Sequence, residues 1–298
     1  MAGGGVSQFE ELLDRLSEKA RGDYYNPYTR FDWPASVPED EWWMSPEFLS
    51  VHGTGVEWDE ARLKRLAGRE TVNFFSLNVH GIRELMIEVA RRIHTPGFAR
   101  YSDFLHHFLG EENEHMWFFA EFCDRYGGGV YPELPALPMD GGFPGRWADV
   151  AVFARIVIFE EIVDYLNSRM GRDGRLPPIL RELNAVHHHD ESRHVAFGKQ
   201  FVKHLFDQAA EDDADGTRRA GLETYLKRYM TYSVNTLYNP RAYRDAGIPE
   251  PMAVRRAAMA HPARAAFHSK LLARVDKFFV ANQIFASPWG GAGDADDE

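Results

Sequence analysis

An all-α fold, a four-helix bundle with additional N- and C-terminal helices, is predicted by three observations. Four long stretches of helical periodicity pair into two hairpins across Pro/Gly turns. The pattern Glu-x-x-His occurs on the second stretch of each hairpin, as Glu112-Asn113-Glu114-His115 and Glu191-Ser192-Arg193-His194. No stretch shows sustained period-2 alternation, so no sheet is expected.

Taken in order, residues 8 to 20 read as a short amphipathic helix. Residues 24 to 57 hold Pro27, Pro34, Pro38 and Pro46 among Tyr24, Tyr25, Tyr28, Trp33, Trp42 and Trp43. That composition predicts an irregular segment whose aromatic anchors cover apolar surface, so residues 1–57 are assigned as an N-terminal wrapping segment. A long helix is expected from about Trp58 to Ile93, stopped by Thr95-Pro96-Gly97. The next runs from about Tyr101 to Tyr126, before Gly127-Gly128-Gly129. A loop carrying Pro132, Pro135, Pro138 and Pro144 leads to a third helix over about Arg146 to Met170. A fourth, over about Pro178 to Phe206, ends at the acidic break 211–216. Residues 58–206 thus form the core, and 217–285 supply further helices, about Thr217 to Tyr238 and Ala253 to Phe285, packed on the same domain.

Composition narrows the function. The chain has 298 residues, 44% of them hydrophobic, enough for a sizeable core. A net charge of -11, part of it in the tail Asp294 to Glu298, argues against a nucleic-acid partner. One cysteine, Cys123, excludes an intrachain disulfide and fits a reducing compartment. No run approaches a membrane span, and Met1 to Gly5 lead into a charged amphipathic stretch, so a cytoplasmic protein without a signal peptide is expected.

On a helix, residues i and i+3 share a face, so each Glu-x-x-His aims one carboxylate and one imidazole the same way. Two such helices, with one Glu from each of two more, make the ligand set of a carboxylate-bridged two-metal site in a helical bundle. One copy alone is unremarkable on a helix surface; the specificity lies in two copies on matched hairpins. Hairpin geometry selects the remaining carboxylates, because residues level with each other are equidistant from the turn. The midpoint of Glu84 and Glu112 falls beside Thr95-Pro96-Gly97, whereas Glu70 would place it inside the helix. Glu84 also shares a face with Leu77, Gly81 and Ile87, while Glu88 lies near Arg91 and Arg92 as a surface ion pair would. Glu84 is therefore chosen. On the third helix, Glu160 and Glu161 both fit the second hairpin. Glu160 is favoured because it shares a stripe with Phe153, Ile156, Val157 and Val163, and a carboxylate there needs a partner or a metal.

His187 lies on the face of Glu191 and His194, and spacing alone leaves its ligand role open. Glu111, Glu114 and Glu121 are expected on the solvent face, and His106, His107, His188 and His189 outside the ligand set. Asp190 and Asp164 are candidates to orient ligating imidazoles. Carboxylate and imidazole ligands without a thiolate favour iron or manganese.

At His187-x-x-x-Glu191-x-x-His194 the chain resembles the diiron N-oxygenases typified by the p-aminobenzoate N-oxygenase of aureothin biosynthesis and the arylamine oxygenase of chloramphenicol biosynthesis. The likeness covers roughly residues 58–206. It implies a ferritin-like bundle and a seven-residue ligand set mapping onto Glu84, Glu112, His115, Glu160, His187, Glu191 and His194. It further implies two iron ions, O2 as co-substrate and an external electron donor such as a reductase or ferredoxin. The implied reaction is oxidation of a primary amine toward hydroxylamine, nitroso or nitro product. Substrate-lining candidates one turn from ligands are Leu77, Phe108, Phe119, Phe153 and Val157. A homodimer is expected. Rival readings on the same scaffold are C–H hydroxylation or oxidative cleavage, iron oxidation and storage, and a radical-generating subunit using Tyr165.

Overall fold

The computed structural model describes residues 8–138 and 142–290, and no strand occurs among them. Residues 1–5 and the acidic tail 294–298 lie outside this range. Helix α1 (Gln8–Gly22) is amphipathic and begins with Glu10 and Glu11, where acids suit the positive end of the helix dipole. The one-turn helix α2 (Pro27–Arg30) is capped by Asn26, whose side chain accepts from the Tyr28 N–H. Four long rods follow: α3 (Glu60–Ala90), α4 (Ser102–Phe122), α5 (Arg146–Met170) and α6 (Pro178–Ala210). Asp59 caps α3 by accepting from the Arg62 N–H at 2.7 Å. Past α4 the chain makes one wider π-type turn, Cys123–Gly127, then reverses at Gly128 with φ 82. Only a residue without Cβ takes that conformation cheaply.

The two hairpins α3–α4 and α5–α6 form the bundle, and α5–α6 is the tighter pair. A Cβ built on Gly171 would lie 3.0 Å from the Ala185 backbone, and one on Gly198 2.7 Å from a Val157 methyl. Glycine at these two points lets the rods approach. Helix α5 is apolar nearly all round, with Val150, Ala151, Phe153, Ala154, Val157 and Ile158 at most 1% exposed. Each such side chain beyond alanine contributes about 1.5–3 kcal/mol of burial.

The segment between α2 and α3 wraps the bundle. Trp43 Nε1 donates to Pro38 O, Ser45 Oγ to Asp173, and the Ser50 N–H to Glu70, while Phe31 packs edge-on to Phe118. Tyr24 and Tyr28 depart from the expectation of buried anchors, being 71% and 61% exposed. C-terminally, α7 (Thr217–Thr236) and α10 (Pro262–Ala281) pack on α5. The stretch expected as one helix over 253–285 is two: α9 (Pro251–Met259) and α10, broken where Pro262 removes a donor. A short α8 (Pro240–Asp245), capped by Asn239, occupies what reads as loop. Helix α6 runs four residues beyond Phe206, and no described helix is long and apolar enough to cross a membrane.

Candidate metal centre

Six of the seven expected ligands meet inside the bundle. Glu112 and His115 come from α4, Glu160 from α5, and His187, Glu191 and His194 from α6; none is more than 2% exposed. Donor atoms of Glu112, His115, Glu191 and His194 all lie within 4.8 Å of one another. His194 Nδ1 is 2.8 Å from Glu112 Oε1 and 3.3 Å from Glu191 Oε2, and His115 Nδ1 is 3.4 Å from Glu191 Oε1. His187 Nε2 approaches Glu191 Oε1 to 3.0 Å. These approaches lack hydrogen-bond geometry. Eight buried atoms of these six residues have no hydrogen-bond partner among the described residues: both oxygens of Glu112 and of Glu191, Glu160 Oε1, the Nδ1 of His115 and His194, and His187 Nε2. Burying so many uncompensated donor atoms costs several kcal/mol apiece unless cations take them. By that test the donor set fits metal ions.

The outward nitrogens are held reciprocally. His115 Nε2 pairs with Asp190, the residue before Glu191, at 3.2 Å, and His194 Nε2 with Glu111, the residue before Glu112, at 2.8 Å. Each motif's leading acid thus orients the other motif's histidine, leaving both Nδ1 atoms facing the carboxylates. Arg193 links the two acids, at 2.6 Å to Glu111 and 2.7 Å to Asp190, and Tyr25 donates to Asp190 at 3.3 Å. Asn167 on α5 contacts the Nδ1 of His187. Rings complete the clamp: Phe108 lies 4.5 Å from His194 and Phe119 4.9 Å from His187, centroid to centroid.

The local field follows. Burial, then Glu191 and Glu112, push the Glu160 carboxyl well above its ordinary range. Burial and Glu191 would raise Glu112 too, but His194 and His115 outweigh them and lower it. Burial opposes ionisation of Glu191, yet His194 and His187 hold it well below the usual value. Burial disfavours the charged form of His115 and His194; Asp190 with Glu112 around the former, and Glu191 with Glu112 around the latter, raise both. His187 is lowered by burial, with His115 adding to the effect.

Glu84 is the exception to the expected set. Its side chain is 54% exposed, 3.9 Å from Arg83. The stripe that selected it is not the buried one, for Ile87 is 41% exposed. The core face of α3 instead runs through Thr71, Phe75, Asn78, Ile82, Leu85 and Val89. Of the two neighbouring α5 carboxylates, Glu160 faces Glu191 and Glu112, whereas Glu161 pairs with Lys199 and, at 3.0 Å, with Arg274. His188 pairs with Asp164, and His189 with Asp23; Asp164 therefore orients no clustered imidazole. Glu111, expected on the solvent face, is a partner of the site instead. The acid immediately before each Glu-x-x-His is the signal in the sequence that points to it.

A family model for P-aminobenzoate N-oxygenase AurF matches residues 6–281. The chain belongs to the P-aminobenzoate N-oxygenase AurF family. Uncharacterized proteins of Mycobacterium tuberculosis and Mycobacterium bovis are 25% identical over 224 residues, 66% of this chain and 61% of theirs. The match therefore spans about three-fifths of the length of these curated relatives. Among solved structures, a point mutant of an R2-like ligand-binding oxidase with aerobically reconstituted Mn/Fe cofactor shares the fold, at TM-score 0.54 and 16% identity over 93% of this chain and 99% of its own. A second point mutant of such an oxidase, with the same cofactor, gives TM-score 0.53 and 17% identity at the same coverage.

A cavity of about 160 Å³ opens between α3, α5, α7 and residues 133–137. Ile156, Phe159 and Val163, which flank Glu160 along α5, form one wall; Leu77, Gly81 and Glu84 form another. Of the expected substrate-lining residues, Leu77 lines it, while Phe108, Phe119, Phe153 and Val157 lie in the core.

Proposed function

We propose that this AurF-family protein oxidises a primary amine with O2, its electrons arriving from a separate reductase or ferredoxin. The carrying observation is the set of eight unpaired, buried donor atoms contributed by three carboxylates and three imidazoles. Glu112, His115, Glu160, His187, Glu191 and His194 would hold two iron ions, which when bound supply O2 binding and electron transfer. The chain's own part is to fix that geometry, keep water out and present the nitrogen. Asp190 and Glu111 hold two imidazoles in one tautomer and orientation, and the apolar face of α5 dries the site. The cavity beside Phe159 is the substrate pocket in this reading. Glu84, His80 and Arg155 on its wall give a mostly apolar amine polar anchors.

The test is product analysis. Iron-loaded enzyme, a chemical reductant, O2 and a panel of arylamines and matched carboxylic acids are incubated, and products are identified by mass spectrometry. Hydroxylamine, nitroso or nitro products from amines support the reading. Oxidation at carbon alone, with amines untouched, replaces it by the C–H hydroxylase reading. A Mn/Fe oxidase is the second reading, favoured by the Mn/Fe cofactor of the structures that share this fold. Metal analysis after loading from an equimolar Mn and Fe mixture separates the two.

A further inference from the structure

Helix α3 contains four acidic residues, and each is committed away from the cluster. Glu60 pairs with Lys64 at 2.7 Å near the start of the helix. Glu70 is buried under the wrapping segment and accepts from the Ser50 N–H and Oγ. Glu84 is half exposed beside Arg83, and Glu88 pairs with Arg91 and Arg92, each at 2.7 Å. A bundle of this type ordinarily takes one carboxylate from each of its two motif-free helices. Here α5 gives Glu160, and α3 gives none.

The core stripe of α3 carries a different polar group. Asn78 is fully buried; its Nδ2 donates to Phe74 O at 2.8 Å, and its Oδ1 has no hydrogen-bond partner among the described residues. Its level follows from the aromatic contacts. Phe75 packs on Phe119 at 4.6 Å between ring centroids. The helices are antiparallel, so one turn toward the hairpin leads from Phe75 to Asn78 on α3 and from Phe119 to His115 on α4. Asn78 therefore stands level with His115. Asn184, whose Oδ1 is likewise unpaired, sits on α6, which already offers three ligands, a turn from His187 on the side away from Glu191.

We infer that Asn78 fills the position of the missing α3 carboxylate, so that a neutral carboxamide oxygen serves the metal ion on the His115 side. The inference rests on the dimetal reading above. Its consequence is asymmetry. Glu160, His187, Glu191 and His194, all from α5 and α6, would hold one ion, while His115 and Glu112 from α4 and the amide from α3 would hold the other. Fewer anionic ligands mean weaker binding of a divalent ion.

Anaerobic titration of metal-free protein with ferrous iron, read by calorimetry and by bound iron after gel filtration, tests this without any activity measurement. Wild type should take two ions with affinities at least about tenfold apart. Asn78→Asp, which converts the amide to a carboxylate at constant volume, should tighten the weaker ion at least about tenfold, and Asn78→Leu should weaken it by a similar factor. The tighter ion should change little in either. Two ions of equal affinity, or both variants binding as wild type does, would overturn the inference while leaving the dimetal site standing. No uptake by wild type, or no effect of Glu160→Gln, would instead remove the dimetal reading itself and the inference with it. Circular dichroism reports folding, and if Asn78→Leu folds poorly, Asn78→Asp alone decides.

Discussion

The two hairpins invite comparison because they are built alike and equipped unequally. On the second helix of each stands acid–Glu–x–x–His: Glu111, Glu112 and His115 on α4, Asp190, Glu191 and His194 on α6. The crossed bonds His115–Asp190 and His194–Glu111 relate the two as near mirror roles. The first helices differ. Helix α5 buries Glu160 in the cluster, whereas α3 buries Asn78 and spends Glu70 on the wrapping segment. Helix α6 also carries His187, which has no counterpart on α4, where the residue four before Glu112 is Phe108. Shared second helices define the fold's chemical centre; unequal first helices set how each half of that centre binds.

The largest effect should come from the residue both halves share. Glu191 lies within 3.4 Å of His115, His187 and His194. Glu191→Gln is expected to reduce iron content from two ions per chain to fewer than one, measured by mass spectrometry of the loaded, desalted protein. Full retention of both ions would show that the halves do not meet at Glu191, and the comparison would fail.

Next in size are the crossed acids. Glu111→Gln and Asp190→Asn should each weaken metal binding about 10–100-fold, the usual cost of losing a carboxylate behind a ligating imidazole. Asp190→Asn should be the more damaging, since Asp190 alone of the two also accepts from Tyr25, and its carboxyl is held at about 2, burial being outweighed by His115 and Arg193. Competition with a chromophoric chelator measures both. Unequal effects in the opposite order would mean that the α4 acid, not the α6 acid, organises the pair.

How much of this was legible in the sequence follows from the range over which each feature is encoded. Glu-x-x-His, His187 and the apolar run of α5 are local patterns on one helix, and helical periodicity exposes them. The contribution of α3 depends on helix rotation over a 31-residue rod. There, matching heights across a hairpin cannot distinguish Glu84 from Asn78, because Glu84 paired with Glu112 and Asn78 paired with His115 both centre beside the turn, although the two lie about 9 Å apart along the axis and on different faces. Hydrophobic stripes decide azimuth, and in the stripe through Leu77, Gly81 and Ile87 the first two border a cavity and the third is exposed. The breaks at Pro240 and Pro262 are written locally but read as loop and as continuous helix, respectively. Proline at the first position starts a helix as readily as it ends the one before.

A smaller, pH-dependent effect tests the claim that α3 spends a carboxylate on architecture. Burial raises the Glu70 carboxyl from its ordinary 4.5 to about 7, against the opposing pull of Ser50 and Arg264. Between those values the unfolded chain ionises while the folded one keeps its proton, so stability falls as pH rises through this window and levels off above it. The effect is roughly 3–4 kcal/mol. Glu70→Gln should flatten that part of the stability–pH curve in urea titrations, with the largest gain over wild type near pH 8 and little near pH 4. A variant that tracks wild type across the range would show that Glu70 is ionised in the fold and tied to Arg264.

The smallest expected effect concerns Glu84, and it bears most directly on the unequal first helices. A half-exposed carboxylate beside Arg83 contributes little to stability, commonly about 0–1 kcal/mol. Glu84→Gln should therefore leave melting temperature and iron content at wild-type levels. Because Glu84 lines the cavity beside Phe159, any change in turnover of an amine substrate should appear in KM rather than in kcat. Loss of one iron from this variant would mean that α3 rotates on metal loading to bring Glu84 inward. The hairpins would then be equipped alike after all, and Asn78 would be a packing residue.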